Sequence, residues 1–304
     1  MDLDRPLGGI HVPLITPFDS DGTVAVAALE TLAHDVLDAG ATGLVALGTT
    51  AEAATLDVRE RAAVTEIVGR ACRERGAWLT VGAGSNDTRR SGEELSALAG
   101  TGAAAALVPV PYFTRPSEAG VVAHFEALAA DSPLPLIIYN IPYRTGQTLG
   151  IDALLRLAAV PGVVGVKHAV GGVDQDTVAL LGADPPGFAV LAGDDVFAPA
   201  LLALGAAGAV LASAHLATER WVEFSRTGDR ALGHRLAALA AALFAEPNPT
   251  VVKAVLHAHG RIPGPGVRLP LLPAAGPSLE TALRAWDAAG DTRDHSHALI
   301  GEAS

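Results

Sequence analysis

Apolar and polar positions divide the chain into two alternating kinds of segment. Short apolar runs rich in β-branched residues end in Gly, Pro or polar residues, and longer Ala- and Leu-rich stretches with helical spacing follow them, as at Leu29, Leu32, Val36 and Leu37. Apolar strands joined by helices are typical of a parallel sheet buried on both faces. The predicted strands are 10–17, 43–48, 78–84, 105–110, 136–140, 163–168, 189–194 and 209–213.

The number of these units predicts the architecture. Eight strand–helix units favour a closed (β/α)₈ barrel of the α/β class, a TIM barrel, over an open doubly wound sheet. Strand patterns stop after about residue 214, where the sequence predicts a helix over 217–245, an ordered loop over 260–277 and a helix over 278–289. We therefore predict a catalytic barrel at 1–228, a C-terminal helical appendage at 229–291 and a loose tail at 292–304.

Composition narrows the function classes. Half of the 304 residues are hydrophobic, which is enough for a large core, and the net charge of −12 disfavours nucleic-acid partners. The sequence has no apolar run free of Gly and Pro that is long enough to span a bilayer, and no signal core near its start, so a cytoplasmic location is predicted. Cys72, the one cysteine, fits a reducing compartment and is predicted to be a packed or surface thiol. The pairs His257/His259 and His295/His297 lack a third ligand, so no metal site is predicted.

Lysine is scarce in this chain. Of the 21 Lys and Arg residues only Lys167 and Lys253 are lysines, which leaves 19 arginines. Lys167 lies at the end of the predicted strand 163–168. Arginine cannot replace a lysine whose neutral amine must attack a carbonyl carbon. Position and scarcity therefore make Lys167 a candidate for Schiff-base chemistry, and the alternative is a strand-end lysine paired with a carboxylate.

Other strand ends supply further candidates, because active sites in this fold lie where the strands end. Tyr139 ends the neighbouring strand, so its hydroxyl is a candidate proton shuttle for Lys167, or else a hydrogen-bonded structural group. The Gly48-Thr49-Thr50 turn offers consecutive backbone N–H groups and two hydroxyls to a carboxylate. Arg144 is a candidate clamp for a second carboxylate, with a surface salt bridge as the alternative.

Strand seven ends in Gly193-Asp194-Asp195. The two aspartates predict a helix N-cap at this turn, with a carboxylate pair for acid–base work as the alternative. The glycines after strand three lack the third glycine of a dinucleotide-binding fingerprint, so no nicotinamide or flavin cofactor is predicted from them.

Together these residues resemble the dihydrodipicolinate synthase / N-acetylneuraminate lyase family of pyruvate-dependent class I aldolases. The resemblance covers the barrel and part of the appendage. It implies a Schiff-base enzyme that needs no metal or organic cofactor, acts on pyruvate and an aldehyde co-substrate, and forms a homotetramer or homodimer. Its motifs are TPF at 16–18, GTTAE at 48–52, PYFTRP at 111–116, YNIPYRTG at 139–146, GVK at 165–167, GDD at 193–195, PNP at 247–249 and RLPL at 268–271.

The resemblance implies a role for each candidate. Lys167 is the Schiff-base lysine, Tyr139 is the proton relay, and Thr49 helps to hold the pyruvate carboxylate and links it to Tyr139. The arginine followed by Thr-Gly favours the synthase branch, which condenses pyruvate with aspartate semialdehyde in lysine biosynthesis, over the sialic-acid lyases. The implied substrate-binding residues are Thr50, Arg144 and Gly193.

Three features depart from the synthase pattern. Phe113 occupies the position of a second tyrosine that the synthases donate across a dimer interface, and Ala51 replaces a glycine. Positions that resemble the lysine-inhibition site of some bacterial synthases are altered as well, and Arg90 there predicts that lysine does not inhibit. Phe113 keeps open an aldolase or dehydratase acting on a 2-keto-3-deoxy sugar acid. A non-catalytic small-molecule-binding paralogue is the remaining alternative.

Overall fold

The strands pair edge to edge until the sheet closes. In the computed structural model, which describes residues 7–290, all eight strands are parallel and run in the order β1 to β8, and β8 pairs back with β1. The predicted TIM barrel is confirmed. The strands are β1 Gly9–Pro13, β2 Gly43–Ala46, β3 Trp78–Gly82, β4 Ala105–Pro109, β5 Leu136–Asn140, β6 Val163–His168, β7 Ala189–Ala192 and β8 Gly208–Val210.

Helices cover the outside of the barrel. The stripe predicted on the first helix is buried, with Leu29, Leu32 and Val36 fully inaccessible. The second helix begins with a capping box, in which the Asp57 carboxylate accepts the backbone N–H groups of Arg59 and Glu60. The barrel helices are α1 Val26–Asp38, α2 Val58–Arg75, α3 Thr88–Ser96, α4 Glu118–Asp131, α5 Pro142–Thr145, α6 Ile151–Ala158, α7 Gln175–Ala183, α8 Ala198–Ala203 and α9 Ala214–Thr227.

Side chains on the strands form two apolar layers. One faces the helices and includes Val166, while the other fills the barrel interior and includes Leu107, Leu191 and Tyr139. Successive residues of a strand point to opposite faces of the sheet. Since Val166 faces the helices, Lys167 points into the barrel.

The predicted strands run too far at several carboxyl ends. The first strand ends at 13 rather than 17, the second at 46 rather than 48 and the third at 82 rather than 84. Beyond these points the chain bends out of the sheet into loops, as at Leu47, whose φ of 55° lies outside the β region. Strands β5 and β6, which carry Tyr139 and Lys167, have the predicted bounds.

Three helices follow the barrel helices: α10 Arg230–Leu243, α11 Thr250–Ala258 and α12 Gly276–Ala289. The predicted continuous helix over 217–245 is wrong. Gly228 ends α9 in the left-handed conformation, and the Asp229 carboxylate then caps α10 by accepting the Leu232 N–H at 2.7 Å. Helix α11 was not predicted, and α12 begins two residues before the predicted start at 278. The domain division at 228/229 stays a prediction, and the predicted tail at 292–304 lies outside the described residues.

Two further observations concern residues 7–290. No helix there is long and apolar enough to cross a membrane, and no three His, Cys, Asp or Glu side chains gather in a group that could hold a metal ion. Cys72 is buried, and burial raises the pKa of its thiol to about 12. The predicted packed thiol therefore stays protonated at neutral pH.

Candidate active site

Lys167 and Tyr139 lie side by side at the carboxyl ends of adjacent strands. The β5–β6 ladder pairs the two residues directly, and both side chains are almost fully buried. The Lys167 Nζ atom lies 4.1 Å from the centroid of the Tyr139 ring. A lysine ammonium over an aromatic face is attracted by the ring's quadrupole. The structure thus brings together the two residues for which the sequence predicted joint chemistry.

His168 fastens these two strands from the other face of the sheet. Its Nδ1 lies 3.3 Å from Asn140 Nδ2, its Nε2 lies 3.0 Å from Thr177 Oγ1, and that hydroxyl donates to Asp174 Oδ1 at 2.6 Å. Burial lowers the pKa of His168, which favours a neutral ring. A neutral ring that accepts from Asn140 and donates to Thr177 satisfies this chain of bonds. These contacts fix the strand register that places Lys167 beside Tyr139.

Gly193 leaves room for the Lys167 side chain. The Gly193 N–H donates to the His168 carbonyl at 2.8 Å, so β7 lies close against β6 at this point. A Cβ atom on Gly193 would lie 2.6 Å from Cγ and 3.1 Å from Cε of Lys167. The first separation is too short for two carbon atoms in contact, and the second is tighter than most carbon–carbon contacts. A side chain at position 193 would therefore displace the lysine.

We expect Gly193→Ala to slow Schiff-base formation on Lys167. Misplacing a reacting group by about 1 Å reduces its rate by about 10²-fold. The measurement is the rate at which pyruvate and borohydride label the protein. Gly172→Ala is the matched control, because a Cβ there meets nothing within 4 Å. Equal labelling rates in the two variants would refute this role for Gly193.

The predicted carboxylate-binding turn lies beside this pair. After β2 the chain forms a short 3₁₀ turn, Thr49–Ala51, whose first N–H groups have no partner inside the turn. Thr50 is buried and its Oγ1 accepts from Asn248 Nδ2 at 2.7 Å, while Thr49 is exposed. Thr49 and Tyr139 line the same cleft, of about 1260 Å³. The structure therefore places the turn where a ligand in the cleft reaches both residues.

Lys167 is not among the residues that line this cleft. Helices α2 and α3 form part of its wall, where Val58, Arg61 and Arg90 lie, and strand ends and the loops between elements form the rest. The large volume therefore measures an open surface groove beside the barrel mouth. The Lys167 amine lies over the ring of Tyr139, which does line the groove.

Arg144 is an exposed residue at the barrel mouth. It lies on the one-turn helix α5, which Gly146 ends in the left-handed conformation, and its guanidinium lies 5.7 Å from the ring centroid of Tyr143. The sequence left a choice between a substrate clamp and a surface salt bridge. An exposed guanidinium stacked on an aromatic ring is free to recognise a carboxylate in bidentate fashion.

Phe113 projects outward from a strained loop. It is 88% exposed, and its φ of 67° lies in the left-handed region, as does that of Arg115 at 46°. Bulky residues adopt this conformation only where the surrounding structure requires it. Tyr112, the preceding residue, is partly exposed and lines the cleft. The loop therefore presents an aromatic pair at the edge of the site.

The predicted N-cap role of Asp195 is wrong. Helix α8 begins after Phe197 without a side-chain cap, whereas Asp195 Oδ2 accepts both the N–H and the hydroxyl of Ser213 at 2.6 Å. Trp221 donates to the same hydroxyl at 3.0 Å. Burial raises the pKa of Asp195 to about 6, against the opposing effects of Ser213 and of the nearby Lys167 charge. Asp195 thus ties the end of β7 to the end of β8 behind the lysine.

Asp194 keeps part of the predicted capping role. The backbone N–H groups of Val196 and Gly171 hydrogen bond to its carboxylate, so it orders the turn that precedes α8. Burial is nevertheless the largest influence on this carboxyl and raises its pKa. The two carboxylates therefore bind different groups, backbone N–H groups for Asp194 and Ser213 for Asp195, and the geometry does not make them an acid–base pair.

Residues 6–285 match the model of the dihydrodipicolinate synthetase family. The 4-hydroxy-tetrahydrodipicolinate synthase of Neisseria meningitidis serogroup B is 37% identical over 274 residues, which cover 88% of this chain and 93% of the relative.

Solved structures agree with this match. The chloride-inhibited dihydrodipicolinate synthase of Acinetobacter baumannii, solved with pyruvate, is 37% identical with a TM-score of 0.88, covering 93% of this chain and 99% of that one. The enzyme of Cyanidioschyzon merolae, solved with lysine bound, is 32% identical with a TM-score of 0.86, covering 93% and 98%. The family predicted from the motifs is confirmed, and this chain belongs to the dihydrodipicolinate synthetase family.

Proposed function

We propose that this protein condenses pyruvate with aspartate semialdehyde through a Schiff base on Lys167, as a 4-hydroxy-tetrahydrodipicolinate synthase. The observation that carries the proposal is the pairing of buried Lys167 with Tyr139, with Nζ 4.1 Å from the ring centroid. The relatives bear the name of this activity at about the same level of identity, 36% to 38%. That name agrees with the activity predicted from the sequence.

The first half of the reaction makes the nucleophile. The neutral amine of Lys167 adds to the ketone carbon of pyruvate, its nitrogen loses a proton, and the ketone oxygen takes a proton to give a carbinolamine. A second proton on that oxygen lets it leave as water, and the nitrogen lone pair forms the iminium. Tyr139 and Thr49 carry these protons. The iminium then draws electrons from the methyl group, which loses a proton and becomes an enamine carbon.

The second half joins the two substrates. The enamine carbon attacks the aldehyde carbon, whose oxygen takes a proton, and Arg144 holds the carboxylate of this substrate. The amine of the semialdehyde then attacks the imine carbon, displaces the amine of Lys167 and closes the ring. The lysine itself supplies the electron sink, so the proposal needs no metal or organic cofactor.

The Thr49–Thr50 turn holds the pyruvate carboxylate. The first N–H groups of a helical turn point at a bound anion and stabilise its charge. Gly193 completes the pocket wall because it lets the lysine chain pass. We also propose that the protein is a homodimer or homotetramer, which the exposed rings of Tyr112 and Phe113 support. The cytoplasmic location stays a prediction.

Phe113 favours one second candidate, an aldolase or dehydratase that acts on a 2-keto-3-deoxy sugar acid. Phenylalanine has no hydroxyl to complete a proton relay with Tyr139. The test is turnover of pyruvate plus aspartate semialdehyde compared with cleavage or dehydration of 2-keto-3-deoxy sugar acids by the same preparation. Turnover of the semialdehyde alone supports the proposal, and turnover of the sugar acid alone replaces it. Turnover of neither points to the non-catalytic paralogue.

We expect L-lysine to leave the activity unchanged. The altered positions of the lysine-inhibition site lie together on the wall of the cleft, where the guanidinium of Arg90 repels an ammonium group. Glu94 is already engaged there, because its carboxylate lies 3.5 Å from Arg90. Initial rates with increasing lysine test the expectation, and strong inhibition at low millimolar lysine would show it to be wrong. The residues are Ala53, Val58, Arg61 and Arg90, with Asn86 and Tyr112 retained.

A further inference from the structure

The second lysine of the chain is completely buried. Lys253 lies on α11, in the helices that follow the barrel, and its Nζ donates to Glu52 Oε1 at 2.5 Å and to the Gly266 carbonyl at 2.8 Å. The same nitrogen lies 4.0 Å from the centroid of the Phe18 ring. Burying an ion pair carries a desolvation penalty that packing alone does not require. The buried charge of Lys253 therefore indicates a role other than stabilising the fold.

Its partner, Glu52, ends the Thr49–Thr50 turn. Glu52 has a φ of 53°, in the left-handed conformation that a glutamate rarely adopts. Its second carboxylate oxygen accepts the Arg268 backbone N–H at 2.7 Å. Both oxygens are thus held by segments that follow the barrel, and they anchor the strained residue that closes the turn.

Two other contacts hold the same turn. The Asn248 side chain, just before α11, donates to Thr50 Oγ1 at 2.7 Å. On the barrel side, the Thr16 hydroxyl donates to the Ala51 carbonyl at 2.8 Å. Thr50, Ala51 and Glu52 each therefore have an outside partner, and two of the three come from beyond residue 245.

We propose that Lys253 is a positioning residue: through Glu52 it holds the Thr49–Thr50 turn in the conformation that binds the pyruvate carboxylate. The inference rests on the proposed function, because the turn is assigned to pyruvate there. Lys253 touches no reacting atom. It sets the direction of the N–H groups that meet the carboxylate, so its loss weakens pyruvate binding and leaves the amine of Lys167 competent.

Lys253→Met is the first test, because methionine retains much of the buried side chain without its charge. The readout is borohydride labelling of Lys167 at increasing pyruvate. We expect the pyruvate concentration for half-maximal labelling to rise about tenfold or more, the equivalent of one charge-assisted hydrogen bond. We expect the extent of labelling at saturating pyruvate to stay near that of the unaltered protein.

A double variant separates positioning from folding. Glu52→Gln with Lys253→Met removes both buried charges, so its thermal unfolding temperature should recover towards that of the unaltered protein. Its pyruvate requirement should stay raised, because the charged clamp is still missing. The isosteric Glu52→Gln variant provides a folded test if the lysine variants do not fold.

Asp35→Asn is the matched control. It removes the Arg261–Asp35 ion pair at 3.3 Å, which also joins the segment after α11 to a barrel helix but lies away from the turn. We expect its half-saturating pyruvate concentration to stay unchanged. A folded Lys253 or Glu52 variant that behaves like this control would overturn the inference. Failure of the unaltered protein to be labelled at any pyruvate concentration would instead overturn the proposed function.

Discussion

Replacing Lys167 with alanine is expected to reduce turnover by about 10⁴-fold or more, because covalent catalysis is lost with its nucleophile. The variant should still fold, since the substitution removes a buried amine from the barrel mouth and leaves both apolar layers intact. The measurement is the steady-state rate with pyruvate and aspartate semialdehyde, with thermal unfolding as the check on folding.

Lys167→Arg is the matched variant for charge. Arginine retains a cation over the ring of Tyr139 but has no amine that can be neutral near pH 7. We therefore expect it to be as inactive as the alanine variant. Substantial turnover in the arginine variant would mean that position 167 contributes charge alone, which the Schiff-base account does not allow.

Replacing Tyr139 with phenylalanine is expected to lower turnover by about 10²- to 10⁴-fold, the usual contribution of a positioned acid–base group. The aromatic face beneath Lys167 is retained, so the loss reports on the hydroxyl. Because that hydroxyl carries protons to and from the carbinolamine, the rate of borohydride labelling should fall together with turnover.

Tyr143→Phe provides the control for this prediction. Tyr143 is 85% exposed, and its ring face beside Arg144 survives the substitution. We expect turnover close to that of the unaltered protein. A Tyr139→Phe variant with the same rate as the Tyr143→Phe variant would remove Tyr139 from the proton relay.

The barrel was predictable because its signal is repeated eight times along the chain. Apolar runs of strand length alternate with helical stripes, and parallel strands joined by helices close in only a few ways. Strand ends were less predictable. Leu47 looks like strand by residue type, yet its positive φ turns the chain out of the sheet, a tertiary effect that local pattern does not carry.

The helices after the barrel show a second limit of local pattern. The Ala- and Leu-rich segment 217–245 predicts one continuous helix. In the structure one glycine and the aspartate that follows it interrupt this helix. Gly228 in the left-handed conformation and Asp229 as a cap are recognisable as helix end and start signals once they are weighed against the surrounding helix formers.

The core of the site was predictable from residue type and position. A lysine at a strand end, in a chain that otherwise uses arginine, pointed to Lys167, and the end of the neighbouring strand pointed to Tyr139. The structure places them in register. The variants described above test the proposed roles of Lys167, Tyr139 and Gly193. The roles of Thr49, Thr50 and Arg144 also remain proposals.

The supporting contacts were not predictable in the same way. Asp195 looked like a cap because two aspartates precede a helix, but its partner Ser213 lies 18 residues away in the sequence, just before α9. Lys253 could have been noticed in the sequence, because it lies among apolar residues, with Val252 before it and Leu256 three residues after it. The structure buries all three side chains. The partner of Lys253, Glu52, is 201 residues away, so only the folded chain reveals the pair.

Borohydride trapping with pyruvate, followed by intact mass and peptide mapping, tests the central claim most directly. The chain has only two lysines, at positions 167 and 253, so the peptide map distinguishes them without ambiguity. The account predicts one stable pyruvate adduct per chain, on Lys167, and none in the Lys167→Ala variant. An unlabelled but folded protein, or an adduct on Lys253, would contradict it.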